Sequence, residues 1–366
     1  MTDLLFLTLL LANIIVFFIV AYNLFTAPRI RNIYEKNASN KKVSVLIPAR
    51  NEEKNISVCL DSMIGQSYSN IEIIVLDDNS EDSTSIIVEE YLRKDSRIKL
   101  IKGEPLPPNW LGKNWACFQL SKSASGDFLL FIDADVRLRE NALSYAVNIY
   151  ESKNVKMLSV FPTQIINNIG TQIIVPLMNW VLLMFLPLKK VYASKKNSFV
   201  AANGQFIMID KNVYESFGGH ESVRNEIVED MEIARILKSN GNKIITALGG
   251  DGVYCKMYDS FTDSLKGFSK NFYTGFKIPA FVFILMLAFF QLAFLLPLII
   301  MFYDYKYLLI LLLIVLQRIF VSIMSGQNVL LNLILHPLQM IMVFVVGINS
   351  IVVSKRRSVE WKGRRI

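Results

Sequence analysis

Four apolar runs bound every fold open to this 366-residue chain. Residues 4–25 come close to the ~20 residues that an α-helix needs to cross a bilayer. Residues 278–303, 307–324 and 329–353 crowd the C-terminal part of the sequence. These runs account for a hydrophobic share of 52%, high for a wholly water-soluble chain. The first run lacks the basic flank and small-residue cleavage site of a signal peptide, so a retained anchor is expected. An integral membrane protein follows: residues 1–26 as a transmembrane anchor, 41–270 as one polar domain, 278–353 as transmembrane or interfacial helices, and 354–366 as a basic tail.

The net charge of +8 has a location. Arg29, Arg31, Lys36, Lys41 and Lys42 follow the first run, and Lys355, Arg356, Arg357, Lys362, Arg364 and Arg365 follow the last. Basic residues beside membrane segments mark the cytoplasmic side and attract anionic lipid. No nucleic-acid module is recognisable, so nucleic acid is not expected as a partner. Both basic clusters and the domain between them belong in the cytoplasm, at the cell membrane, with the amino terminus outside. A tail on the inside requires an even number of crossings after Lys277, yet three apolar runs are present. Gln317 and Arg318 fall near the middle of 307–324, and a central arginine costs at least ~2.5 kcal/mol on insertion scales. That run is therefore expected to lie along the interface or pack within the protein, leaving 278–303 and 329–353 as the spans.

Cys59, Cys117 and Cys255 are isolated, and His220 and His336 complete the soft ligands. Neither a disulfide framework nor a zinc site is indicated, and both histidines read as structural.

Between 41 and 270, short apolar strands alternate with helical stretches. Strands are expected over 43–48, 71–76, 98–101 and 128–132, with helices over 52–66, 83–92 and 112–124. Such alternation argues for βαβ units and a mostly parallel sheet, whose ligands sit beyond the carboxyl ends of the strands. Three polar signals stand at those ends: Pro48-Ala-Arg-Asn-Glu52, Asp77-Asp78 and Asp133-Ala-Asp135. On extended backbone, side chains two apart point the same way, and like charges held close are costly unless a cation or shared proton lies between them. The bland reading is a solvated turn; convergence of three signals on one sheet edge favours a single site. Residues 173–188 are apolar but short and broken by Pro176 and Pro187, which suits an interfacial helix or a packed element.

Together these residues resemble the membrane-anchored family 2 glycosyltransferases, whose catalytic domain has the nucleotide-sugar-binding, Rossmann-like GT-A fold. Six ordered motifs carry the resemblance: Ile47-Pro-Ala-Arg-Asn-Glu-Glu53, Val75-Leu-Asp-Asp-Asn-Ser80, Gly112-Lys113, Asp133-Ala-Asp135, Gly218-Gly219 and Glu229-Asp230. A finer similarity is to the branch that glycosylates carotenoid acids and related terpenoid lipids. It rests on Pro108-Asn-Trp-Leu-Gly-Lys-Asn-Trp-Ala116 and Val359-Glu-Trp-Lys-Gly-Arg364. Polymerising members carry Q-x-x-R-W on a membrane-proximal helix; here the matching place is Phe268-Ser-Lys-Asn-Phe272. A single transfer is expected instead.

The resemblance implies roles. Pro48, Asn51, Glu52, Asp78, Lys113 and Asp133 would hold the donor, a nucleotide sugar with UDP favoured. Asp135, with Asp133 at its shell, would hold Mg²⁺ or Mn²⁺, hard cations suited to carboxylate and phosphate oxygens. Family 2 enzymes invert the anomeric carbon, so a base must act from the opposite face; Asp230 is the candidate, with Glu229 orienting it. Acidic residues at a helix start also suit the helix dipole without any catalysis. The acceptor would be a membrane lipid, with polyprenyl phosphate, ceramide or diacylglycerol as alternatives to a terpenoid. A membrane transporter or receptor with a nucleotide-sensing domain is the non-enzyme alternative; few ionisable groups, chiefly Arg318, in the apolar runs speak against transport.

Overall fold

The computed structural model describes residues 2–33, 39–356, 360–361 and 364–365. Of the residues singled out above, Lys36, Arg357, Val359, Lys362 and Gly363 lie outside that set. The chain divides into two units, one of Met1–Ala27, Gln164–Lys190 and Met257–Val359, the other of Pro28–Thr163, Val191–Lys256 and Glu360–Ile366.

The second unit is built on strands β1 (Val43–Ala49), β2 (Ile71–Asp77), β3 (Ile98–Lys102), β4 (Phe128–Ile132), β5 (Val136–Leu138), β6 (Met157–Phe161), Thr163 of the two-residue β7 (Thr163–Gln164), β8 (Phe206–Asp210), β9 (Ile244–Leu248) and β10 (Val253–Cys255). Every residue of β1, β2 and β4 is buried. Strands covered on both faces need continuous apolar runs rather than alternation, and Val43-Ser-Val-Leu-Ile and Phe128-Leu-Leu-Phe-Ile supply them.

Seven strands form one sheet in the order β3-β2-β1-β4-β8-β6-β9. β1 pairs parallel with both β2 and β4, and β2 with β3. β8 is antiparallel to β4 and to β6, while β9 is parallel to β6. Only β8 therefore opposes the rest, which agrees with a mostly parallel sheet. β5 and β10 pair antiparallel outside it. The first helix is Ile56–Ile64, shorter than the expected 52–66. The segment before it is held as a turn, with the Asn55 and Ile56 amides donating to the Glu52 carbonyl at 2.9 Å.

The first unit is helical. Among the described residues four helices are long and apolar enough to cross a membrane: Asp3–Thr26, Ala280–Ile300, Tyr305–Met324 and His336–Arg356. Leu4, Leu7, Leu11, Ile15 and Phe18 are each more than half exposed along one face of the first. A contiguous apolar stripe of that kind is rare on a protein surface bathed in water and is natural against hydrocarbon. Run 307–324 is a continuous helix whose Arg318 is buried. Run 329–353 is two helices, Val329–Ile334 and His336–Arg356, broken at Leu335. Residues 173–188 join this unit as parts of Ile169–Ile174, Pro176–Phe185 and Leu188–Ala193.

Candidate active site

Because β1, β2 and β4 are parallel, their carboxyl ends meet at one sheet edge. The strand order reverses between β1 and β4, since β2 and β3 lie to one side of β1 and β4 to the other. A crevice at such a reversal is where open α/β sheets take ligands. The loop 201–205 arrives at the same edge, because β8 enters the sheet there in the opposite sense.

Leaving β1 after the buried Pro48, the chain is stapled to the end of β2. Arg50 Nη1 donates to the carbonyls of Asp78 at 2.6 Å and Asn79 at 2.8 Å. Asn51 adopts φ +52°; its amide donates to Ser80 Oγ at 3.1 Å and its Oδ1 accepts from the Glu81 amide at 2.8 Å. Asn51 is exposed, so its visible work is to join two loops. Glu52 Oε2 accepts from Asn55 Nδ2 at 2.9 Å. Asp78 is buried, with its amide on the Ala49 carbonyl at 2.8 Å.

Asp133 and Asp135 follow β4. Their backbone is a turn, closed by the Val136 amide on the Asp133 carbonyl at 3.1 Å. The extended spacing invoked from sequence is thus not what positions them. Asp133 Oδ1 lies 2.8 Å from Lys113 Nζ, whereas Asp135 Oδ1 is buried without a hydrogen-bond partner. Burial first, then the Asp133 and Glu52 carboxylates, push Asp135 up to about 7. An orphaned, hard oxygen that resists ionisation alone is suited to a cation. Among the described residues no group of three or more His, Cys, Asp or Glu side chains could hold a metal by itself. A metal here would draw its remaining ligands from phosphate oxygens and water, the usual habit of Mg²⁺.

Lys113 ties Glu229 to this edge. It stands at the start of helix Gly112–Ser123, and its Nζ is also 3.3 Å from Glu229 Oε1. Burial works against its charge, but Asp133 and Glu229 outweigh that and hold the ammonium well above its ordinary range. Next to Lys113, Asn114 Nδ2 donates to the carbonyls of Val223, Arg224 and Glu226 at 2.9, 3.2 and 3.0 Å. That clamp seats the loop leading into Glu229.

Glu229 and Asp230 open helix Glu229–Ser239, where carboxylates suit the helix dipole. Asp230 Oδ2 accepts from the Gly204 amide at 2.7 Å and Oδ1 from the Met231 amide at 2.6 Å. Burial, then the Glu229 charge, push Asp230 up to about 7. Gly204 faces the middle of the cluster: a Cβ there would stand 3.1 Å from Lys113 Nζ and 3.2 Å from Glu229 Oε1. Gly218-Gly219 has a structural reason. Both adopt positive φ, and a Cβ on Gly219 would stand 2.3 Å from the Tyr214 ring. His220 Nδ1 bonds the Tyr214 hydroxyl at 2.8 Å in the core, and all three cysteines are buried and free.

Sequence reading did not single out Gly204, Asn114 or Arg50. Asn114 and Arg50 sit inside quoted motifs; Gly204 carries no local signal, because only the antiparallel entry of β8 brings its loop here.

Residues 44–217 match the model of glycosyl transferase family 2; Glu229 and Asp230 lie past the end of that match. Curated relatives are the 4,4'-diaponeurosporenoate glycosyltransferases of Staphylococcus aureus strains MRSA252 and USA300. Each is 29% identical over 244 residues, 65% of this chain and 63% of the relative. The match thus spans under two thirds of the length of these relatives. Among solved structures, the mannosyltransferase PcManGT from Pyrobaculum calidifontis, in complex with GDP-Man and Mn²⁺, aligns over 99% of this chain and 98% of its own. The TM-score is 0.60 at 15% identity, a likeness of fold. Over residues 44–217 the chain is similar to family 2 glycosyl transferases, and its fold is like that of PcManGT.

Proposed function

We propose that this chain is a membrane glycosyltransferase that moves one sugar, with inversion, from a nucleotide-sugar donor to a lipid acceptor, a carotenoid or related terpenoid acid. The family 2 domain supports the reaction class, and the name of the S. aureus relatives supports the acceptor. The observation that carries the proposal is the meeting of Asp133, Lys113, Glu229 and the Asp230 loop at one sheet edge. Donor-side and acceptor-side groups must share one reaction centre for a direct displacement.

In this reading Asp135, with Asp133 beside it, would hold a divalent cation, Mg²⁺ or Mn²⁺. Such a cation supplies charge stabilisation to the departing diphosphate. The Mn²⁺ of PcManGT points the same way. Pro48, Asn51, Glu52 and Asp78 stand at the ends of β1 and β2 and would hold the nucleoside. Lys113 is held ready by two carboxylates and can turn its charge to the diphosphate as negative charge develops there. Asp230, poised near neutrality, takes the proton from an acceptor hydroxyl, a base being most useful when its pKa lies near the working pH. A carboxylate acceptor is already ionised and makes less demand on Asp230, whose task is then to position. Phe268-Ser-Lys-Asn-Phe272 in place of the polymerising motif agrees with one transfer per acceptor.

The test is to incubate membranes holding the chain with labelled UDP- and GDP-sugars and identify labelled lipids by mass spectrometry. A labelled terpenoid is expected. Label appearing only in polyprenyl phosphate, ceramide or diacylglycerol would reassign the acceptor, and no labelled lipid with any donor would reject the proposal.

A further inference from the structure

Side-chain pairings within the helical unit fix which way each helix runs. Asp3 and Lys306 form an ion pair at 2.6 Å, and the Phe6 and Tyr307 rings lie 5.3 Å apart. Further along, Gln317 Nε2 donates to the Asn13 carbonyl at 2.9 Å, and the Phe17 and Phe320 rings are 6.0 Å apart. Helices Thr2–Thr26 and Leu308–Met324 are therefore parallel neighbours. Asn13 Nδ2 donates to the Ala293 carbonyl at 3.0 Å, which puts Asn13, Ala293 and Gln317 at one level. Lys306 also pairs with Asp304 at 3.0 Å, so the chain rises from Ala280 past Ala293 to the face marked by Asp3, Asp304 and Lys306.

Helix His336–Arg356 does not start at that face. His336 Nε2 bonds the Phe294 carbonyl at 2.9 Å, and Gln291 Nε2 donates to the Met340 carbonyl at 2.9 Å. Lower down, the Leu287 side chain packs on Gly347, leaving no room for a Cβ there. One helix descends as the other rises. At about 1.5 Å per residue, His336 begins about 20 Å above Ala280, and the Asp3–Lys306 face lies about 15 Å further on.

We infer that the three apolar runs after Lys277 cross the bilayer only twice, because the return passage contains an intramembrane switchback over residues 325–335. Ala280–Ile300 carries the chain to one face. Leu308–Met324 and then His336–Arg356 bring it back in two stages.

Irregular backbone at membrane depth survives only where protein encloses it. Ser325, Gln327, Asn332, His336 and Gln339 are all buried. Asn332 Nδ2 donates to Ser322 Oγ at 2.9 Å and Gln327 Oε1 at 3.0 Å. Arg318 Nη2 donates to the Asn332 carbonyl at 3.3 Å and to Gln339 Oε1, gripping both arms of the switchback from the spanning helix. The arginine that makes 307–324 look unfit to span is the pin that lets 329–356 turn back. Two crossings also place Lys355 and Arg356 on the side where helix Thr2–Thr26 ends, as the positive-inside rule asks of the basic residues that follow both helices.

The test labels single cysteines with a membrane-impermeant maleimide in sealed vesicles of both orientations; the parent chain, whose three cysteines are buried, serves as the blank. Tyr303→Cys should react from one face, and Arg31→Cys and Lys355→Cys from the other. Asn328→Cys should react from the Lys355 face or from neither. Protease removal of an epitope tag placed after Ile366 reads the side of the tail independently of the cysteines. A tag or Lys355→Cys on the Tyr303 face would overturn the inference by making His336–Arg356 a full crossing, as would Asn328→Cys reacting from that face.

Discussion

The Lys113 ammonium stands 3.3 Å from the Glu229 carboxylate while holding Asp133 at 2.8 Å. One cation thus joins the turn after β4 to the first residue of helix Glu229–Ser239. Under the proposed function an arriving diphosphate would compete with both carboxylates for that charge, and Lys113 would couple donor arrival to Glu229. Lys113→Met should lower kcat/KM for the donor on the order of 10²–10³-fold, the usual loss when one preorganised charge stabiliser is removed. Steady-state kinetics checks this, and a change below threefold would show that Lys113 only cements the fold.

Asp230→Asn should keep donor binding and lose turnover with a hydroxyl acceptor on the order of 10²–10⁴-fold. Asparagine keeps one acceptor oxygen, so one of the two backbone-amide bonds persists and the other is lost at a cost of about 1–3 kcal/mol, and a melting curve checks that the variant is folded. Calorimetric donor titration beside turnover separates the effects. If affinity falls and turnover survives, the base lies elsewhere.

Activity and stability should respond to pH in opposite directions. Asp230 rises from an ordinary 3.8 to about 7 on folding, and as the proposed base it would work only when ionised. Under saturating metal, where the cation displaces the proton from Asp135, kcat should climb as pH rises through about 7. The folded state meanwhile binds more protons than the unfolded one between about 4 and 7, so stability falls as pH rises across that window. Asp230→Asn should flatten the kcat profile; an unchanged limb would assign it to another group.

Asp135→Ala should abolish turnover and leave the chain folded in the membrane. It should also remove the rise in Tm that Mn²⁺ gives the parent, since a ligand binding only the native state stabilises it. A variant that keeps that rise, or activity that persists in EDTA, would remove Asp135 from the metal site.

The strand ends were legible because each apolar run stops abruptly at Pro48, Asp77 or Asp133, and parallel packing sends all three to one edge. Local pattern also sufficed for helix Gly112–Ser123 and for the acidic start at Glu229. It did not suffice where position depends on a distant partner. Gly204 reaches Asp230 only because β8 enters antiparallel beside β4. Arg318 looks forbidding in a linear apolar run, and its burial depends on Asn332 and Gln339 folding back onto it. Residues 164–190, which interrupt the polar region, cluster with the apolar helices; the short, proline-broken run 173–188 left an interfacial helix and a packed element both open.

The most direct test of the central claim follows transfer itself. Purified protein in vesicles containing a terpenoid carboxylic acid is given labelled nucleotide sugar with Mn²⁺, and the lipid fraction is analysed by mass spectrometry. The account predicts one added sugar per acceptor, no oligomer, and no product from Asp135→Ala. Free nucleotide diphosphate without any glycosylated lipid, across the donor and acceptor panel, would contradict it.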